Sequence, residues 1–180
     1  MRCFLAIDLP DDAIDALERI QLELPFGRLS DPETFHLTLA FLGELSDDEA
    51  EAAHEAVSEL PPNPVPVRIN GLGLFGGNTP SVLYANVDPD PALLALEKTI
   101  RSRLHGAGVQ LERRRYHPHI TLARFKPHMP PDSVAQLGTF VSAHAGFSLP
   151  EFLAGEFAFY RSILGGPVPI HEPLARYSLI

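Results

Sequence analysis

The chain has 180 residues, 45% hydrophobic and 21% charged, a balance that suits a globular protein and excludes a disordered one. Its formal net charge of −9 excludes general coating of nucleic acid or of an anionic membrane. Cys3 is the only cysteine, so no intramolecular disulfide forms. The apolar run within Met1 to Pro10 is too short for a signal peptide, and no run approaches the roughly 20 apolar residues of a membrane span. A cytoplasmic monomer without membrane contact is expected.

Arg2 to Leu9 reads as a buried strand, with Cys3 packed inside it. Pro10 opens a helix running to about Leu24, with Ile14, Leu17 and Leu24 on its inner face and Asp11 and Asp12 near its N-terminus. Phe35 to Leu42 is a strand. Ser46 followed by Glu49 spells a capping box, which predicts a helix to about Leu60. Val65 to Phe75 and Ser81 to Val87 follow as strands joined through Gly76-Gly77-Asn78. Gly71 to Gly76 matches G-x-G-x-x-G, but a β-like run follows where a dinucleotide site needs a helix, so no such cofactor is expected.

The order then repeats. Ser81 to Asp88 mirrors the first strand. Pro91 to about His105 is a helix with Leu93, Leu94, Leu96, Ile100 and Leu104 available for burial. His119 to Phe125 is a strand, Ser133 to His144 a helix, and Glu156 to Ile163 and Ile170 to Leu179 are strands. The pattern describes one two-lobed domain over residues 1–180, an internal duplication of a strand–helix–strand–helix unit. Interleaved elements with hairpin connections favour an α+β fold with antiparallel sheets.

Each half carries one His-apolar-Thr-apolar string: His36-Leu37-Thr38-Leu39 and His119-Ile120-Thr121-Leu122. Strand periodicity places His and Thr on one face and the apolar pair on the other. Two such strands facing each other surround one ligand with two imidazoles and two hydroxyls. Imidazole titrates near neutrality, so one ring can accept a proton while the other gives one. Threonine hydroxyls can donate to phosphate oxygens.

Around the second string lie Arg113, Arg114, Arg115, Arg124 and Lys126 against one acid, Glu112, a cationic rim in an acidic chain. Arg124 follows Thr121 by three residues, which in a regular strand puts it on the opposite face. His117 shares the face of His119 and reads as shaping the rim or orienting a neighbour. No carboxylate or cysteine adjoins either string as a further ligand, so no metal is expected. His54, His105, His128, His144 and His171 have no partner pattern and read as surface or structural. Phe41, Phe75, Tyr84 and Tyr160 are aromatic candidates for a nucleobase wall, each weighed against a plain core role.

With FLAIDLP at Phe4 to Pro10, FHLTLAFLGE at Phe35 to Glu44, YHPHITLAR at Tyr116 to Arg124 and EFAFYRS at Glu156 to Ser162, the chain resembles the two-histidine phosphoesterases. Within them it is most similar to the RNA 2′,3′-cyclic phosphodiesterases once called 2′-5′ RNA ligases. The resemblance implies a bilobal α+β fold with pseudo-twofold symmetry and a central cleft. It implies hydrolysis, without metal or cofactor, of a 2′,3′-cyclic phosphate on an RNA end or nucleotide, leaving a 2′-phosphate. It assigns His36 as proton donor, His119 as proton acceptor, and Thr38, Thr121 and Arg124 as phosphate ligands. The near-identity of the two strings leaves the acid and base assignment to the resemblance alone. Reverse 2′-5′ joining is the rival activity, and a non-catalytic nucleotide-binding module the rival class.

Overall fold

Two four-stranded sheets form from segments far apart in the chain. The structure is a computed structural model describing residues 1–180. The first half supplies strand β1 (Arg2–Asp8), helix α1 (Asp11–Leu22), a two-residue strand β2 (Arg28–Leu29), β3 (His36–Glu44) and α2 (Asp47–Ser58). The second supplies β4 (Val65–Val67), β5 (Ile69–Phe75), β6 (Val82–Val87), α3 (Pro91–Gly106), β7 (His119–Arg124) and α4 (Pro131–Ala143). The chain closes with β8 (Phe152–Ala154), β9 (Glu156–Ile163) and β10 (Ile170–Ser178).

One sheet has the order β10-β9-β1-β3 and the other β2-β7-β6-β5, and every pairing is antiparallel. The fold is α+β, as the interleaved pattern predicts. Its duplication is cyclic. β4-β5-β6-α3-β7-α4 matches a unit that starts at β8-β9, passes through both termini, and continues β1-α1-β3-α2. β4 and β8, the two equivalent leading strands, pair with each other in a small third sheet.

Local signals explain the helix boundaries. Ser46 and Glu49 make the capping box ahead of α2, the serine hydroxyl accepting from the Glu49 N–H and the Glu49 carboxylate accepting from the Ser46 N–H. Asp90 caps α3 by accepting from the Ala92 N–H, with Pro91 at the first helical position. Leu17 on α1 and Leu93, Ile100 and Leu104 on α3 are buried, whereas Leu94 faces solvent and Ile14, Leu24 and Leu96 are half-buried.

The run Val65 to Phe75 is two strands, because the chain leaves the β4–β8 pair at Arg68 and enters a different sheet. The mirror of Asp8 is Asn86 and not Asp88: Asp8 lies opposite His36 and Asn86 opposite His119. Strands β2 and β8 escape a sequence reading because two or three residues carry no periodicity.

The inner faces of both sheets share one hydrophobic core, in which Leu5, Ile7, Leu37 and Phe157 join Ile69, Leu83, Ile120 and Leu122. On the opposite face of the first sheet, Phe4, Ala6, Ala158 and Tyr160 form a separate small cluster with Phe41 against it. That outer face, with its counterpart on the second sheet, carries the polar side chains of both His-x-Thr strings.

Candidate active site

Both motif strands break their ladders at the same place. On β7, Thr121 lies opposite Tyr84 and Ala123 opposite Leu83, so Leu122 has no partner. On β3, Thr38 lies opposite Ala6 and Ala40 opposite Leu5, so Leu39 has none. Each is a one-residue β-bulge at the fourth motif position. The bulge reverses the parity beyond it. Arg124 lies opposite Val82, and Val82 and Tyr84 share a face, so Arg124 joins His119 and Thr121. The opposite-face expectation for Arg124 is thereby corrected. Phe41 occupies the equivalent place on β3, with the Arg2 guanidinium 4.7 Å from its ring centroid.

A cleft of about 560 Å³ is lined by Thr38, Phe41, Phe75, His119, Thr121 and Arg124, with Arg114 and Arg115 also on its walls. His36 is not among the lining residues and lies two positions before Thr38, on the same face of β3. Arg113 is not among the lining residues. Of the four aromatic candidates, Phe41 and Phe75 line the cleft, while Tyr84 and Tyr160 are buried beneath the histidines.

Backbone carbonyls fix both imidazoles in the same tautomer. His36 Nδ1 is 2.7 Å from the Thr34 carbonyl, and His119 Nδ1 is 2.7 Å from the His117 carbonyl. A carbonyl only accepts, so each Nδ1 carries hydrogen and each Nε2 is left for chemistry. His117 thus orients its neighbour through the main chain.

The surroundings of the two rings differ in charge. Burial pushes His36 down to about 4 and the cationic forms of His171 and His119 add to this, while the hydrogen bond to the Thr34 carbonyl and, less strongly, the Asp8 carboxylate oppose it. His119 is lowered by burial, against which the hydrogen bond to the His117 carbonyl acts, and further by the cationic His117, Arg114 and Arg124, with no carboxylate opposing them. Asp8 is itself held in place, accepting from the Tyr160 hydroxyl at 2.5 Å and from Arg176 Nη1 at 2.8 Å.

Sequence reasoning misplaced one histidine. His171, on β10, stands 5.2 Å from the His36 ring and 4.9 Å from Phe4, edge-on to both. Phe4 stacks on His36 at 4.7 Å. Three strands bring His171, Phe4 and His36 together across more than 130 positions of chain, and no local spacing announces it. His54 (bonded to the Tyr177 hydroxyl), His105, His128 and His144 do lie away from the cleft.

The depressed His36 value links protonation to folding. An imidazole near 6.5 when unfolded and about 4 when folded favours the fold above pH 6.5, and that contribution is lost as pH falls through 4. The urea midpoint should drop over this window, and drop less in His36→Phe. Equal declines in the two proteins would contradict the burial argument.

No three or more His, Cys, Asp or Glu side chains are grouped to hold a metal ion, and no helix is long and apolar enough to cross a membrane. The paired lobes, each presenting one imidazole and one hydroxyl from a bulged strand, define a two-histidine cleft fold. The chain belongs to the 2′-5′ RNA ligase superfamily, whose model matches residues 9–162. It is 29% identical to the RNA 2′,3′-cyclic phosphodiesterase of Geobacillus stearothermophilus, over 98% of this chain and 57% of that protein. It is 26% identical to the protein of the same name from Archaeoglobus fulgidus, over 97% of this chain and 98% of that one. A solved structure from Thermus thermophilus superposes with a TM-score of 0.81 at 27% identity, covering 99% of this chain and 98% of the other.

Proposed function

We propose that this enzyme hydrolyses the 2′,3′-cyclic phosphate of an RNA end or nucleotide to a 2′-phosphate and a free 3′-hydroxyl, using no metal. His119 Nε2 takes a proton from water as the water oxygen attacks phosphorus. The bond from phosphorus to the 3′ oxygen breaks, and protonated His36 Nε2 gives its proton to that oxygen. Thr38 and Thr121 donate to the non-bridging oxygens, and Arg124 places a guanidinium on the same charge.

The observation that supports this reading is a pair of equivalent imidazoles, each held at Nδ1 by a main-chain carbonyl and left free at Nε2, on two motif strands that meet at one cleft. Burial, with His117, Arg114 and Arg124 adding to it, holds His119 below the ordinary imidazole value, which suits a base. Burial holds His36 at about 4 in the free protein; Asp8 opposes this, and a bound phosphate anion favours the cation further, as an acid requires. The near-identical strings leave the acid and base assignment to the family resemblance, and the surroundings differ by Asp8 opposite His36 and Asn86 opposite His119. The relatives named RNA 2′,3′-cyclic phosphodiesterase support the same reaction. Joining of a 2′-phosphate end by the reverse route is a side activity of the same groups, with water's abundance setting the net direction.

Purified protein with excess EDTA should convert an oligonucleotide ending in a 2′,3′-cyclic phosphate to the 2′-phosphate, read by phosphorus NMR of the product. A 3′-phosphate product would reverse the leaving-group assignment. Loss of turnover on chelation would replace the paired-imidazole mechanism with a metal-dependent one.

A further inference from the structure

Gln21 and Glu97 are the only buried residues of polar or charged type, and Gln21 is 2% exposed on α1, pointing at the other lobe. Its Nε2 group donates to two main-chain carbonyls, Leu122 at 2.7 Å and Ser30 at 2.6 Å. Leu122 is the bulged residue of β7, the one without a ladder partner on β6. Its carbonyl accepts a second bond, from the Ser30 N–H at 2.9 Å. Ser30 directly follows β2, which pairs Arg28 with Arg124 and Leu29 with Ala123. The bulge is therefore held from outside by the short strand, and from α1 by a single amide spanning both carbonyls.

That bulge decides where Arg124 points. With Leu122 taken back into the ladder, the strand beyond Thr121 would resume strict alternation and turn Arg124 toward the core face. A primary amide suits this place because its two hydrogens satisfy two buried acceptors that an apolar side chain would leave short of partners. The equivalent bulge on β3 has no such amide. There the tie is the Tyr116 hydroxyl, donating to the Thr38 carbonyl at 2.9 Å, and the side chain that emerges is Phe41, whose aim demands no charge on phosphate.

We infer that Gln21 is a positioning residue for Arg124: by fixing the Leu122 bulge it aims the guanidinium at the bound phosphate. This rests on the role proposed above for Arg124. Gln21 touches no substrate, and its effect passes through the strand.

The test is a double-mutant cycle over Gln21→Met and Arg124→Ala, read both by inorganic phosphate affinity in calorimetry and by KM and kcat on a nucleoside 2′,3′-cyclic phosphate. Gln21→Met should weaken phosphate binding and raise KM about fivefold to tenfold, with kcat changed less. In the Arg124→Ala background it should change neither further, because neighbours acting through one contact are not additive. A merely structural role would give independent effects that multiply, and multiplication would overturn the inference, as would unchanged phosphate affinity in a folded Gln21→Met. If that variant fails to fold, Gln21→Asn, too short to span both carbonyls, reads the same coupling with the same outcomes. Wild-type protein that binds phosphate but hydrolyses no cyclic phosphate would overturn the proposed function while leaving the phosphate cycle to judge Gln21.

Discussion

Replacing His119 or His36 by alanine should each lower kcat on a 2′,3′-cyclic phosphate by about 10²–10⁴, the usual worth of a positioned acid or base. The double variant should fall little further, because a base without its acid completes no turnover. Both rings sit on the cleft faces of their sheets, opposite the shared core, so circular dichroism should report an intact fold. Near wild-type turnover in either single variant would rule out paired acid–base catalysis. The pH dependence follows from the same groups. Both imidazoles lie below the ordinary histidine value in the free protein, so the alkaline limb of kcat/KM should fall below pH 6.5. Bound phosphate favours both cations, so the kcat profile should lie to its alkaline side. A kcat/KM plateau extending through pH 8 would contradict the burial of the two rings.

Arg124→Ala should reduce kcat/KM about tenfold to a hundredfold, the loss expected for a charge-assisted hydrogen bond worth about 1.5–3 kcal/mol. Arg124→Lys should recover part of this, since an ammonium keeps the charge but not the planar fork. A second signature separates contact with phosphate from a general effect on the fold. Arg124 is one of the cations that depress His119, so its removal should move the acidic limb of kcat/KM, which the base sets, upward. A variant that loses rate with an unmoved limb would place Arg124 away from the His119 imidazole. A variant with full activity would remove it from the site.

How much of this site the sequence held depends on how far each signal travels along the chain. His36 and Thr38, and His119 and Thr121, are legible because strand alternation acts between nearest neighbours. The capping box at Ser46 and Glu49 is legible for the same reason. Arg124 is legible as a candidate, but alternation gives it the wrong face. Alternation assumes an unbroken ladder, and the Leu122 bulge is set by Gln21 about a hundred positions earlier. His171 is not legible, because nothing near it marks a partner. It reaches His36 only when the C-terminal hairpin returns to extend the N-terminal sheet.

The antiparallel α+β architecture, the two paired strings and the cationic rim can all be read from the residue order. Periodicity, capping and local charge are short-range properties written in consecutive residues. Three features come from the folded arrangement: the duplication closes through the termini, two bulges turn Phe41 and Arg124 into one cleft, and two matching imidazoles sit in unlike fields. Register and cross-strand partners are long-range properties. They placed Asp8 opposite one histidine and Asn86 opposite the other, a difference in surroundings that identical motifs do not carry.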